Sequence, residues 1–82
     1  MLDDTQIKYV IDRVSRLYEI QLPLEFESYE YDQSLDTVEI VFKSNTKTHR
    51  TFEVKKHIIV EFDDQNIIIG SKVGNMSNYL PK

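Results

Sequence analysis

The sequence predicts an α+β domain: an N-terminal amphipathic helix packed on a four- to five-stranded antiparallel meander sheet as a two-layer sandwich. Three observations carry this. Apolar residues recur with a helical period before Pro23, they recur with a period of two after it, and clusters of Asp, Asn, Ser and Lys cut the second stretch into short runs. A chain of 82 residues can bury one hydrophobic core and no more.

The helix comes first. Ile7, Val10, Ile11, Val14, Leu17 and Tyr18 fall at i, i+3, i+4 and i+7 spacing, with Lys8, Asp12, Arg13, Ser15, Arg16 and Glu19 between them. Asp3 and Gln6 have the spacing of a capping box, and early acids with later arginines suit the helix dipole. Pro23 has no N–H and disfavours helical geometry at Leu22, so the helix should run from about Asp4 to Ile20 or Gln21.

The strands follow as Leu24–Tyr31, Val38–Lys43, Thr48–Val54, Ile58–Phe62 and Ile67–Gly70. Partners that share a buried face must meet in phase. A three-residue loop at Lys55, Lys56 and His57 sets Phe52 opposite Val60 and Val54 opposite Ile58, whereas a two-residue loop would turn Glu61 inward. One bent strand from Arg50 to Phe62 also keeps phase. A four-residue turn at Asp63–Asn66 sets Phe62 against Ile67 and Val60 against Ile69. The first strand is irregular, because Leu24 and Phe26 take one phase and Tyr29 and Tyr31 the other; a bulge near Glu27 or Ser28, or solvent-facing tyrosines, would account for it. The domain is expected to span residues 1–70, with residues 71–82 a tail that frays or docks Tyr79 and Leu80. A helix followed by a meander is similar to the cystatin-like and uracil-glycosylase-inhibitor-like arrangements, but the chain carries no motif of either, so no function follows.

Composition limits the chemistry. The chain is 40% apolar and 29% charged, which is globular, and it has no cysteine, which excludes disulfides, thiolate–metal sites and a thiol nucleophile. No basic, apolar leader opens it and no apolar run exceeds three residues, so the expectation is a soluble cytoplasmic protein without membrane contact. Nine Ile, seven Lys against three Arg, and no Ala fit a low-GC bacterium or its phage.

Nothing here predicts an enzyme or a cofactor. His49 and His57 belong at different heights of the sheet. Asp32, Ser34 and Asp36 imitate the start of a calcium loop, but Thr37 replaces its turn glycine and Lys43 its bidentate glutamate. The carboxylate pairs Glu25/Glu27 and Asp63/Asp64 fall on strand exteriors and turns rather than in a shielded cleft.

Charge placement is the most informative feature. Residues 1–42 hold ten acids and three bases, residues 43–82 four acids and seven bases, and the whole chain has a net charge of −4. Six acids and no base lie between Glu25 and Glu39; five bases, two histidines and one acid lie between Lys43 and His57. The expected function is a small non-enzymatic protein-binding or regulatory module, such as a phage-encoded inhibitor, that recognises an unidentified protein through Glu25, Glu27, Tyr29, Glu30 and Tyr31. The alternatives are nucleic-acid contact through Lys43, Lys47, Arg50, Lys55 and Lys56, which a pI near 5.0 disfavours, and an uncharacterised structural domain. Val41, Ile59 and Ile68 are expected on an uncovered face that supports a homodimer.

Overall fold

The computed structural model describes residues 2–81; Met1 and Lys82, the ends of the expected domain and tail, lie outside the described residues. One helix, α1 (Asp4–Tyr18), is followed by five strands: β1 (Ser28–Asp32), β2 (Thr37–Val41), β3 (Arg50–Lys55), β4 (Ile58–Phe62) and β5 (Ile68–Val73). A 3-10 turn, Met76–Tyr79, closes the chain. The strands form an open antiparallel sheet in the order β1-β2-β5-β4-β3, which gives the α+β fold the sequence predicts.

The order is not that of a simple meander. β5 enters between β2 and β4, so the segment after Val41 must travel past two strand positions before β3 begins, as in a Greek key. Ser71, Lys72 and Val73, which the sequence places in the tail, thus belong to the central strand. Val38, Val73 and Ile58 line up across the sheet as one buried row, and Ile40, Ser71 and Val60 as the next. Ser71 is acceptable in this row because its hydroxyl donates to the Ile59 carbonyl at 2.9 Å.

α1 starts where the capping box puts it: the Asp3 carboxylate accepts from the Gln6 N–H at 2.9 Å and the Gln6 side chain accepts from the Asp3 N–H at 3.1 Å. It stops at Tyr18, earlier than Pro23 alone requires. Glu19 turns left-handed (φ 56°), the Glu19 and Ile20 N–H groups both donate to the Ser15 carbonyl, and the redirected chain buries Leu22. Ile7, Val10, Ile11 and Val14 are wholly buried against Val38, Ile40, Ile58, Val60 and Val73. Burying side chains of this kind contributes roughly 1.5–3 kcal/mol each and is the main favourable term for the fold.

Two bulges set the register. The β3–β4 turn has two residues, Lys56 and His57, yet Glu61 stays out because Val54 is an extra residue between the Glu53–Ile59 and Lys55–Ile58 pairs. Phe52 therefore meets Val60 as predicted, whereas Ile58 meets Lys55 and not Val54. On β5, a shift between the Glu61–Gly70 and Phe62–Ile68 pairs passes over Ile69; Phe62 meets Ile68 instead of Ile67, and Val60 meets Ser71 instead of Ile69.

The tail is docked. Met76 is fully buried, Tyr79 and Leu80 pack against the core, and Asp36 accepts from the Ser77 hydroxyl at 2.6 Å and from its N–H. Gly74 allows the approach: its N–H donates to the His57 carbonyl at 2.7 Å, and a Cβ there would lie 2.7 Å from that of His57.

Candidate functional site

The sheet has one face covered by α1 and one face open. Strand pairing places Ser28, Glu30 and Asp32 of β1 on the open side, followed by Thr37, Glu39 and Val41 of β2, Gly70 and Lys72 of β5, Ile59 and Glu61 of β4, and Thr51 and Glu53 of β3. The central row reads Glu30, Glu39, Lys72, Ile59, Glu53 from edge to edge. Neighbouring strands are about 4.8 Å apart, so the carboxylates of this face stand within a few strand spacings of one another. Its one base, Lys72, reaches Glu39 at 3.5 Å. Glu61 lies over Gly70, where a Cβ would sit 2.9 Å from its Oε1, and accepts from the Thr48 hydroxyl at 3.3 Å.

The residues expected to form an acidic, tyrosine-bearing surface separate here. Tyr29 and Tyr31 turn to the helix side: the Tyr29 hydroxyl donates to the Leu2 carbonyl at 3.0 Å, and that of Tyr31 to Asp36 at 2.7 Å. The phase is reset at the place expected for a bulge: the Glu27 N–H donates to the Val41 carbonyl at 2.8 Å while Ser28 pairs with the same residue, so two residues oppose one and the tyrosines do not face solvent; Phe26 packs edge-on against Tyr29 with centroids 5.8 Å apart. Glu27 accepts from the Ser44 N–H (2.8 Å) and hydroxyl (2.6 Å), which hold its carboxyl below the usual range. Glu25 is exposed before the sheet begins, and Glu30 alone of the five stands on the open face. The sequence reading missed Asp32, Glu39, Glu53 and Glu61 as members of this array, although the phase of the last three opposite the buried positions was there to find them.

The expected apolar face is smaller than foreseen. Val41 and Ile59 are on the open side and half-buried, but the shift at Ile69 turns Ile68 to the helix side, where it packs against the core. The basic residues do not converge either. Lys43 and Lys47 lie in the segment before β3, Arg50 begins that strand, Lys55 ends it and Lys56 is in the following turn. Arg50 stacks on the Phe62 ring at 4.1 Å.

The carboxylates of the candidate calcium loop have partners within the chain. Asp32 accepts from the Ser34 hydroxyl and from the Ser34 and Leu35 N–H groups. Asp36 is raised by partial burial and lowered more by Ser77 and Tyr31, so its pKa falls below the ordinary value. Asp63 is buried in its turn, and N–H groups of Ile67 and Gln65 lower its pKa. Among the described residues no three His, Asp or Glu side chains are grouped as a metal site would need, and no helix is long and apolar enough to cross a membrane.

The chain matches no protein-family model, no curated protein and no solved structure, so its function has to be argued from these surfaces.

Proposed function

We propose that the protein is a small non-enzymatic binding module that recognises a basic protein surface through the open face of its sheet. The observation that carries this reading is the direct pairing of Glu30 with Glu39 on that face. Like charges directly opposite on neighbouring strands destabilise a sheet, and a local rule broken without a structural gain is commonly a mark of function. Lys72 offsets Glu39; Glu30 has no ion-pair partner among the described residues.

Five acids (Glu30, Asp32, Glu39, Glu53 and Glu61) and one base share the face, with Val41 and Ile59 as its apolar centre. This suits a partner rich in Lys and Arg, with the charges speeding and selecting the encounter. An inhibitor or regulator that occupies the nucleic-acid-binding surface of another protein would have this character. A homodimer through the same face would stack carboxylate on carboxylate, so a different protein is the favoured partner. Nucleic-acid contact is less well supported, because the bases lie at both ends of β3 with Glu53 between them.

The test is affinity capture from lysate, untreated and nuclease-treated, with wild type, Glu39→Lys/Glu53→Lys and Lys55→Glu/Lys56→Glu. The reading predicts a protein held by wild type and by the second variant and lost by the first. Material lost both on nuclease treatment and on reversal of the β3 bases would replace it with the nucleic-acid reading.

A further inference from the structure

A second surface, separate from the open face, lies on the helix side at the other end of the sheet. α1 leaves β3 and β4 partly bare there, and Ile20, Phe52, Val54, Val60, Phe62 and Ile68 line a groove of about 330 Å³. Phe52 is 54% exposed although it is in phase with the core. β3 is also a sheet edge, with no strand on its outer side among the described residues. An apolar groove beside an unpaired strand is the arrangement that takes up an extended peptide by strand addition.

Charge identifies the occupant. Lys47, His49 and Arg50 stand at one end of β3, Lys55 and Lys56 at the other, and Arg50 forms part of the groove wall. Two copies pairing β3 with β3 would bring these bases together, which disfavours a second copy. An acidic partner is drawn to the same place. Arg50, Phe52 and Val54 share a face, and five residue steps separate Arg50 from Lys55, roughly 16 Å at about 3.3 Å per residue. The bulge at Val54 confines regular pairing to Arg50–Glu53, so Lys55 and Lys56 act as charges beyond the ladder.

The geometry points to the β3 edge and its groove as a docking site for an extended peptide with alternating apolar side chains and an acid at each end. The backbone of β3 would supply the ladder, the groove would take the apolar residues, and the two basic ends would fix the position.

Fluorescence anisotropy with a labelled heptapeptide, Glu-Thr-Ile-Thr-Val-Thr-Glu, tests this, with Lys-Thr-Ile-Thr-Val-Thr-Lys as the control. The expected result is saturable binding of the acidic probe, at least roughly tenfold tighter than the control. Arg50→Glu/Lys55→Glu should reverse that preference, Phe52→Ser should weaken both probes, and amide shifts should centre on β3 and β4. N-methylation of alternate probe amides should abolish binding in one register and spare it in the other. Circular dichroism of each variant separates loss of the site from loss of the fold. No binding at millimolar probe, equal binding of the two probes, or shifts on the open face would overturn the proposal. Self-association removed by Phe52→Ser would also overturn it, by showing that a second copy covers the groove.

Discussion

Glu30 of β1 and Glu39 of β2 face each other directly across an antiparallel pair on the open side of the sheet. The residues on either side of them in sequence, Tyr29 and Tyr31 on one strand and Val38 and Ile40 on the other, turn to the core. The phase that makes the core thus also places the two carboxylates side by side. The fold requires an outward residue at each position but does not require either to be acidic.

The docked tail is part of the stability of the domain. Met76 is fully buried, so Met76→Ala should cost about 2–5 kcal/mol in a urea melt. A chain ending at Asn75 should be destabilised further, since it also loses Tyr79, Leu80 and the Ser77–Asp36 contacts. A truncated chain as stable as the full one would mean that the tail is only appended.

Asp36 links pH to that docking. Its pKa is lowered in the folded state, as are those of Asp32, Asp63 and Glu27, so the unfolded chain binds protons more readily in acid. Stability should be fully present above about pH 4–5 and fall as the pH drops through the folded-state values. Asp36→Ala should cost about 1–3 kcal/mol near neutrality through loss of the hydrogen bonds from Ser77 and Tyr31, and should shrink the acid-dependent part of the urea midpoint.

Tyr79 gives the opposite slope in alkali. Its hydroxyl is 2.7 Å from that of Tyr18, with the rings edge-on, and burial together with this bond pushes its pKa up to about 12. Its contribution should be complete below pH about 10 and decline as the pH rises towards 12. An ultraviolet titration should show a late-ionising tyrosine that is missing in Tyr79→Phe; a difference between the two curves centred near pH about 10 rather than towards 12 would contradict this packing.

Gly74 and His57 should be coupled. Gly74→Ala places a methyl 2.7 Å from the His57 Cβ and should lower the melting temperature. His57→Gly removes that Cβ and also suits the left-handed backbone at this position (φ 74°), so the double variant should recover much of the loss. Additive effects in a double-mutant cycle would show that the two positions do not press on each other.

The helix, its capping box, the inward set Val38, Ile40 and Phe42, and the Phe52–Val60 pairing were legible in the sequence because each rests on local periodicity or a short turn. The strand order was not, since insertion of β5 beside β2 depends on contacts far apart in sequence. Ser71 and Lys72 hid the extension of β5: an apolar residue was expected where a buried hydroxyl finds a carbonyl. The bulge at Ile69 moved Ile68 to the helix side, the one at Val54 gave Ile58 Lys55 as its partner, and no residue type announces a bulge of this kind. The charge asymmetry was visible as composition, but which acids share a surface depended on the phase of β1, which the stretch before Ser28 resets.

The central claim is that the Glu30–Glu39 pair is retained for binding at a cost to the fold. Glu30→Lys should test it most directly, with thermal stability and capture from nuclease-treated lysate measured on the same preparation. The account predicts a variant more stable by about 0.2–1 kcal/mol that no longer holds the partner kept by wild type. A variant that is no more stable, or that keeps the same partner, would contradict it.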